Sequence, residues 1–133
     1  MAGIGYSFYT DPERPSVDIV NNAVKAFGEL AEPLEDDFAS SGNLSPTSKR
    51  LSIQYLDVEL NRAMLSVSMR VSTNNVTLTF PSDSTELANQ TLILEPIKKG
   101  EQIRWKCLDG TVLIRYRPKD CRLGNGLYTP KLR

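Results

Sequence analysis

Two cysteines, Cys107 and Cys121, and the cations that crowd around them are the residues of this chain whose types and spacing could do chemistry. Thirteen residues lie between the two thiols. Two outcomes fit the cysteines taken alone. They are a disulfide formed in an oxidising compartment, or two buried thiols kept reduced. A zinc site is disfavoured, because the chain has no histidine and two thiols rarely complete a tetrahedron by themselves. The lack of histidine also removes the commonest general base near neutral pH. There is no G-x-S-x-G elbow and no glycine loop that would cradle a phosphate. Glu35, Asp36 and Asp37 are adjacent, so they fan around a helix end and do not converge on one substrate. We therefore expect no catalytic residues, no cofactor and no metal.

The cations are Lys98, Lys99, Arg104, Lys106, Arg115, Arg117, Lys119 and Arg122. Arg104 and Lys106 alternate with Ile103 and Trp105, so on a strand they project from one face; Arg115 and Arg117 alternate likewise around Tyr116. Such a strip can engage phosphates without reading sequence. It can equally be a solvated rim, or the partner of the acidic run Glu32, Glu35, Asp36 and Asp37 on a neighbouring copy. The charge pattern of the whole chain bears on that choice. Residues 1–60 carry ten acids and four bases, and residues 61–133 carry six acids and twelve bases, although the net charge is zero. A chain polarised in this way can orient copies head to tail or offer a basic face to a polyanion.

Elements must position these groups. Ser16 reads as a helix N-cap, with Asp18 in the first turn. Val17, Val20, Val24, Phe27, Leu30/Ala31, Leu34 and Phe38 then recur at spacings of three and four, which predicts one amphipathic helix over about 16–39. Gly28 weakens it, Pro33 should kink it, and Ser41-Gly42-Asn43 followed by Pro46 ends it. After residue 50 the period becomes two. Leu51, Ile53 and Tyr55 give way to Val58 and Leu60 on the other phase, which suggests a bulge near Leu56. Asn61-Arg62 is a turn candidate. Strands are predicted at 65–71, 76–80 and 91–95, with a polar loop at 82–89. Ile103–Cys107 and Leu113–Arg117 are further extended candidates. The pattern is α+β: a long N-terminal amphipathic helix packed on a roughly four-stranded antiparallel sheet. Length fits a single domain, 16–133, preceded by a lead-in or engineered segment at 1–15. No run of 18 apolar residues would cross a membrane, and the first residues lack the basic and apolar parts of a secretory signal.

Three blocks in the C-terminal half carry a resemblance. Thr91-Leu92-Ile93-Leu94-Glu95-Pro96, Ile103-Arg104-Trp105-Lys106-Cys107 and Tyr116-Arg117-Pro118-Lys119-Asp120-Cys121-Arg122 occur in order. Together they resemble the "TLTLTP" strand, the "I-x-W-x-C" strand and the "Y-x-P-x-x-C-R" ending of type IVa pilins. The run Ala39-Ser40-Ser41-Gly42-Asn43-Leu44-Ser45-Pro46 resembles that family's helix-to-loop junction. The likeness covers roughly 16–122 and is densest over 88–122. It implies a pilin head with a disulfide between Cys107 and Cys121 closing the C-terminal loop, and Trp105 packed near that bond or the helix.

The resemblance further implies a structural subunit of a type IV pilus, without enzymatic activity, that pairs with other pilin subunits in a homopolymeric filament. The filament would serve adhesion, twitching motility or DNA uptake. Implied partners are a host surface receptor, met by the loop after the helix and the disulfide-closed loop 108–120, or DNA, with the basic strip as the contact. Membrane attachment would belong to the family's hydrophobic N-terminal helical half with its methylated phenylalanine, which this sequence does not contain. The place would be the cell surface, after a stage with the head in the periplasm and the anchor in the inner membrane. Two alternatives share the plan: a DNA-binding minor pilin of natural transformation, and a secretion-system pseudopilin, which often lacks the cysteine pair and orders its loop with calcium. The triplets at Asn43, Asn75 and Asn89 match the eukaryotic glycosylation signal and are read as chance.

Overall fold

A computed structural model of the chain describes residues 14–44, 53–60, 63–122 and 127–128. The predicted segment 1–15 lies almost wholly outside them, as does the Asn61-Arg62 turn. The elements are a helix α1 (Arg14–Ser41) and six strands: β1 (Ile53–Leu60), β2 (Ala63–Val71), β3 (Val76–Thr79), β4 (Thr91–Lys99), β5 (Gln102–Gly110) and β6 (Leu127–Tyr128). All strand pairs are antiparallel, and spatial order equals chain order. The expected α+β plan of a helix packed on an antiparallel sheet is what forms. The sheet gains two strands over the expected four, because β5 pairs with β4 and the short β6 pairs with β5.

Helix α1 forms where its apolar spacing said it should, but the phase is finer. Ile19, Val20, Ala23, Val24, Phe27 and Ala31 are buried, while Leu30 is 41% exposed. The helix continues through Pro33, which is exposed. It ends as expected. Gly42 takes φ +79°, and its N–H donates to the carbonyl of Phe38 at 2.8 Å, satisfying one of the carbonyls a helix end leaves open. Ser16 is a correction. It lies inside the helix, fully buried, and its Oγ donates to Glu86 at 2.9 Å instead of capping the first turn.

The sheet presents its inner face to α1. On β1, Leu56 and Val58 point inward and Tyr55 is 67% exposed, with unbroken pairing to β2 from Ile53 to Leu60. The bulge expected near Leu56 is therefore not there; the register shift lies instead between Ile93 and Glu95 in β4. Strand β4 runs four residues beyond the predicted Glu95, through Pro96 to Lys99. Gly100 takes φ +63° in the first central position of the β4–β5 turn while Glu101 does not take a positive φ, the pattern of a type II′ turn. The 82–89 loop is less polar than it reads, because Ser84 and Leu87 are buried and the base is closed by Phe80 and Gln90.

Candidate functional site

The cysteines meet. Cys107 and Cys121 form a disulfide with Cα atoms 5.2 Å apart, both fully buried. Strand β5 supplies the first sulfur from its inward-facing row, Ile103, Trp105 and Cys107. A 3-10 turn at Lys119–Cys121 supplies the second. Between them the chain does not form the extended segment expected over Leu113–Arg117. Gly110 turns at φ +111°, a conformation that favours glycine, and Thr111 and Val112 donate their N–H groups to the carbonyl of Thr91. A 3-10 turn at Ile114–Tyr116 follows. Glycine is required at 110 for a second reason: an added Cβ would stand 2.4 Å from the carbonyl oxygen of Thr91.

Arg117 organises this loop from inside. Its guanidinium donates from Nε and Nη2 to the Val112 carbonyl (3.0 and 2.6 Å), from Nη1 to Cys107 (3.0 Å) and from Nη2 to Gly110 (3.3 Å). It is 2% exposed. Burial pulls its pKa below the ordinary arginine value and the negative charge of Asp109 partly offsets this; the group stays charged. Arg117 therefore leaves the predicted phosphate-contacting strip. A buried guanidinium that donates to three backbone carbonyls inside the loop cannot also reach a polyanion.

The loop rests on a second buried constellation. Trp105 is fully buried, packs edge-on against Phe27 with ring centroids 4.9 Å apart, and donates its indole N–H to Glu35 at 2.8 Å. Trp105 thus packs on the helix, as one of the two expected placements had it. Glu35 is 7% exposed, so it does not belong to the solvated acidic run in which the sequence placed it.

The remaining cations take different positions. Lys98 and Lys99 flank the β4–β5 turn and are exposed. Arg104 and Lys106 project from the outer face of β5, where Lys106 stands opposite Glu95. Arg115 lies over the Tyr116 ring at 5.1 Å, and Lys119 and Arg122 are exposed beside Cys121. Next to them Leu113 and Ile114 are 49% and 56% exposed, an apolar pair the sequence did not single out for the surface. The loop is thus tied from within by the disulfide and Arg117, and its exterior is mixed apolar and cationic. Among the described residues no group of acids and cysteines could hold a metal ion, and no helix is long and apolar enough to cross a membrane.

A family model described as Pilin (bacterial filament) matches residues 20–122. No curated protein and no solved structure matches the chain significantly.

Proposed function

This chain belongs to the Pilin family of bacterial filament proteins, and from that premise we propose that it forms the exposed head of a surface pilus, with the disulfide-closed loop as the displayed contact surface. Family membership makes the chain a pilus structural subunit. The displayed role of the loop rests on one observation: Arg117 and the disulfide hold residues 107–121 as a built surface with Leu113, Ile114 and Arg115 facing out. A loop fixed from within can carry a receptor or subunit contact at little ordering cost. Antibodies raised against the chain should label surface filaments along their length in immunogold electron microscopy. Labelling confined to the cytoplasm contradicts the reading.

A second reading rests on the cations other than Arg117: DNA capture by Lys98, Lys99, Arg104, Lys106, Arg115, Lys119 and Arg122. Phosphate contacts release counterions, so binding should weaken steeply with salt. A gel shift with duplex DNA at low ionic strength tests it; no shift there eliminates DNA capture and leaves the subunit reading intact. The inner-membrane stage, with the head in the periplasm, is part of the same proposal, since the disulfide needs an oxidising compartment.

A further inference from the structure

The disulfide joins a strand to a turn that belongs to no sheet, so something must bring Cys121 to Cys107 before the sulfurs can react. Cys107 has its place from the fold: it is fully buried in the inward-facing row of β5. Cys121 ends a 3-10 turn, and its neighbours Asp120 and Arg122 are exposed. A sequence separation of 14 lies between the two.

Arg117 shortens that separation. Its Nη1 donates to the carbonyl of Cys107 itself at 3.0 Å, so one bonded cysteine is tied by its backbone to a point four residues before the other. The remaining guanidinium donors hold the carbonyls of Val112 and Gly110. From Arg117 onward the chain has little freedom. Pro118 follows directly at φ −57°, and the Cys121 N–H donates to the Pro118 carbonyl at 2.8 Å. The first half of the loop needs no sulfur either. Thr111 and Val112 are bonded to the Thr91 carbonyl, and the Thr91 N–H donates to the Thr111 hydroxyl at 2.8 Å. Loop-closure entropy grows as three-halves of the logarithm of length. Cutting the unfixed segment from 14 residues to four therefore raises the effective concentration of one thiol at the other about sixfold. A second tether lies beyond the bond, where Leu127 pairs with Lys106, but it is a strand of only two residues.

We propose that Arg117 is the positioning residue for the Cys107–Cys121 bond: its clamp on the carbonyls of Cys107, Gly110 and Val112 closes the loop first, and oxidation then locks a loop already in place. The oxidant is a disulfide carried by another molecule, small or protein. One thiolate of the chain attacks that disulfide and expels its first thiol. The other thiolate attacks the mixed disulfide and expels the second. The chain loses two electrons and two protons, and the oxidant leaves as a dithiol. Arg117 exchanges nothing in these steps; it sets how often the second thiolate stands within reach. By reciprocity, the bond strengthens the clamp by the same factor by which the clamp strengthens the bond. The inference concerns how the head is made, and it does not depend on which partner the loop meets.

The test is the thiol–disulfide equilibrium of the folded chain with reduced and oxidised dithiothreitol, with the two forms counted by mass after alkylation. Arg117→Lys and Arg117→Met should each shift the equilibrium toward the dithiol by about sixfold or more. Val58→Ala truncates a buried residue of β1, a strand that shares no hydrogen bond with the loop among the described residues. It should lower stability yet leave the equilibrium within about twofold of wild type, because it acts on both redox forms alike. A shift below about threefold in both Arg117 variants overturns the positioning role. So does a Val58→Ala shift as large as theirs, since the bond would then report global stability. Amide hydrogen exchange reads the order of events. In Cys107→Ala/Cys121→Ala the N–H groups of Tyr116 and Arg117, which donate to Leu113 and Ile114, should stay protected. Adding Arg117→Lys should speed their exchange at least about tenfold. Protection already lost in the sulfur-free chain would show that the bond closes the loop and the clamp follows.

Discussion

Arg117 shows what a single residue does here. Read along the chain, a cation between Tyr116 and Pro118 belongs on the surface, because arginine is almost never fully buried unless paired. What buries it is the convergence of the carbonyls of Cys107, Gly110 and Val112, which no linear pattern reveals. Replacing it by lysine keeps the charge but not the fork, so a single ammonium must leave buried carbonyls unmet. We expect Arg117→Lys to cost about 2–4 kcal/mol, seen as a melting temperature roughly 10 °C lower in the oxidised chain. A variant that melts like wild type would show that the guanidinium does not hold the loop. Glu35 is the opposite case, since a signal was present. It follows Phe27 and Ala31 at four-residue steps and so falls on the apolar stripe, where only its acidity argued for solvent. Glu35→Gln keeps an oxygen for the Trp105 indole and should be nearly silent in thermal unfolding. Glu35→Leu leaves that N–H without an acceptor and should cost about 1–3 kcal/mol. Equal melting of the two variants would remove the indole bond from the account.

At the scale of elements, the sequence carried the helix, its glycine end and most strands, because each has a period of its own. It did not carry the joins. The predicted strand at 113–117 has the right residue types but no partner strand, because Thr111 and Val112 are already tied to the Thr91 carbonyl and Gly110 has turned the chain away. The two positive-φ glycines around β5 separate local from tertiary demand. Gly100→Ala meets open space and suffers only the backbone penalty, about 1 kcal/mol. Gly110→Ala adds a collision with the backbone of β4 and should cost more than about 2 kcal/mol. Denaturant titration of both variants checks the order. Equal losses would mean that the β4 approach is looser than described.

Across the whole molecule, the disulfide and the charge separation are the features that extend beyond any one element. The bond spans a sequence separation of 14 and ties the end of the family-matched region to an inner strand. In the chain-entropy view such a loop contributes about 3 kcal/mol, so reduction under native conditions should lower the unfolding midpoint without removing the helix signal in circular dichroism. Loss of all structure on reduction would mean that the helix and sheet cannot hold without it. The cysteine pairing was legible only through the resemblance of its flanking blocks. The charge separation was legible as a count, and its direction across the sheet emerged only once strand order was known.

The claim on which the rest depends is that this chain is a pilus subunit whose C-terminal loop is closed by a sulfur–sulfur bond. Non-reducing mass spectrometry of filaments sheared from intact cells tests both halves at once. The account requires peptides of this chain in the filament fraction, with Cys107 and Cys121 linked within one copy. Filaments that lack the chain, together with both thiols free in chain recovered from the cytoplasm, would contradict it.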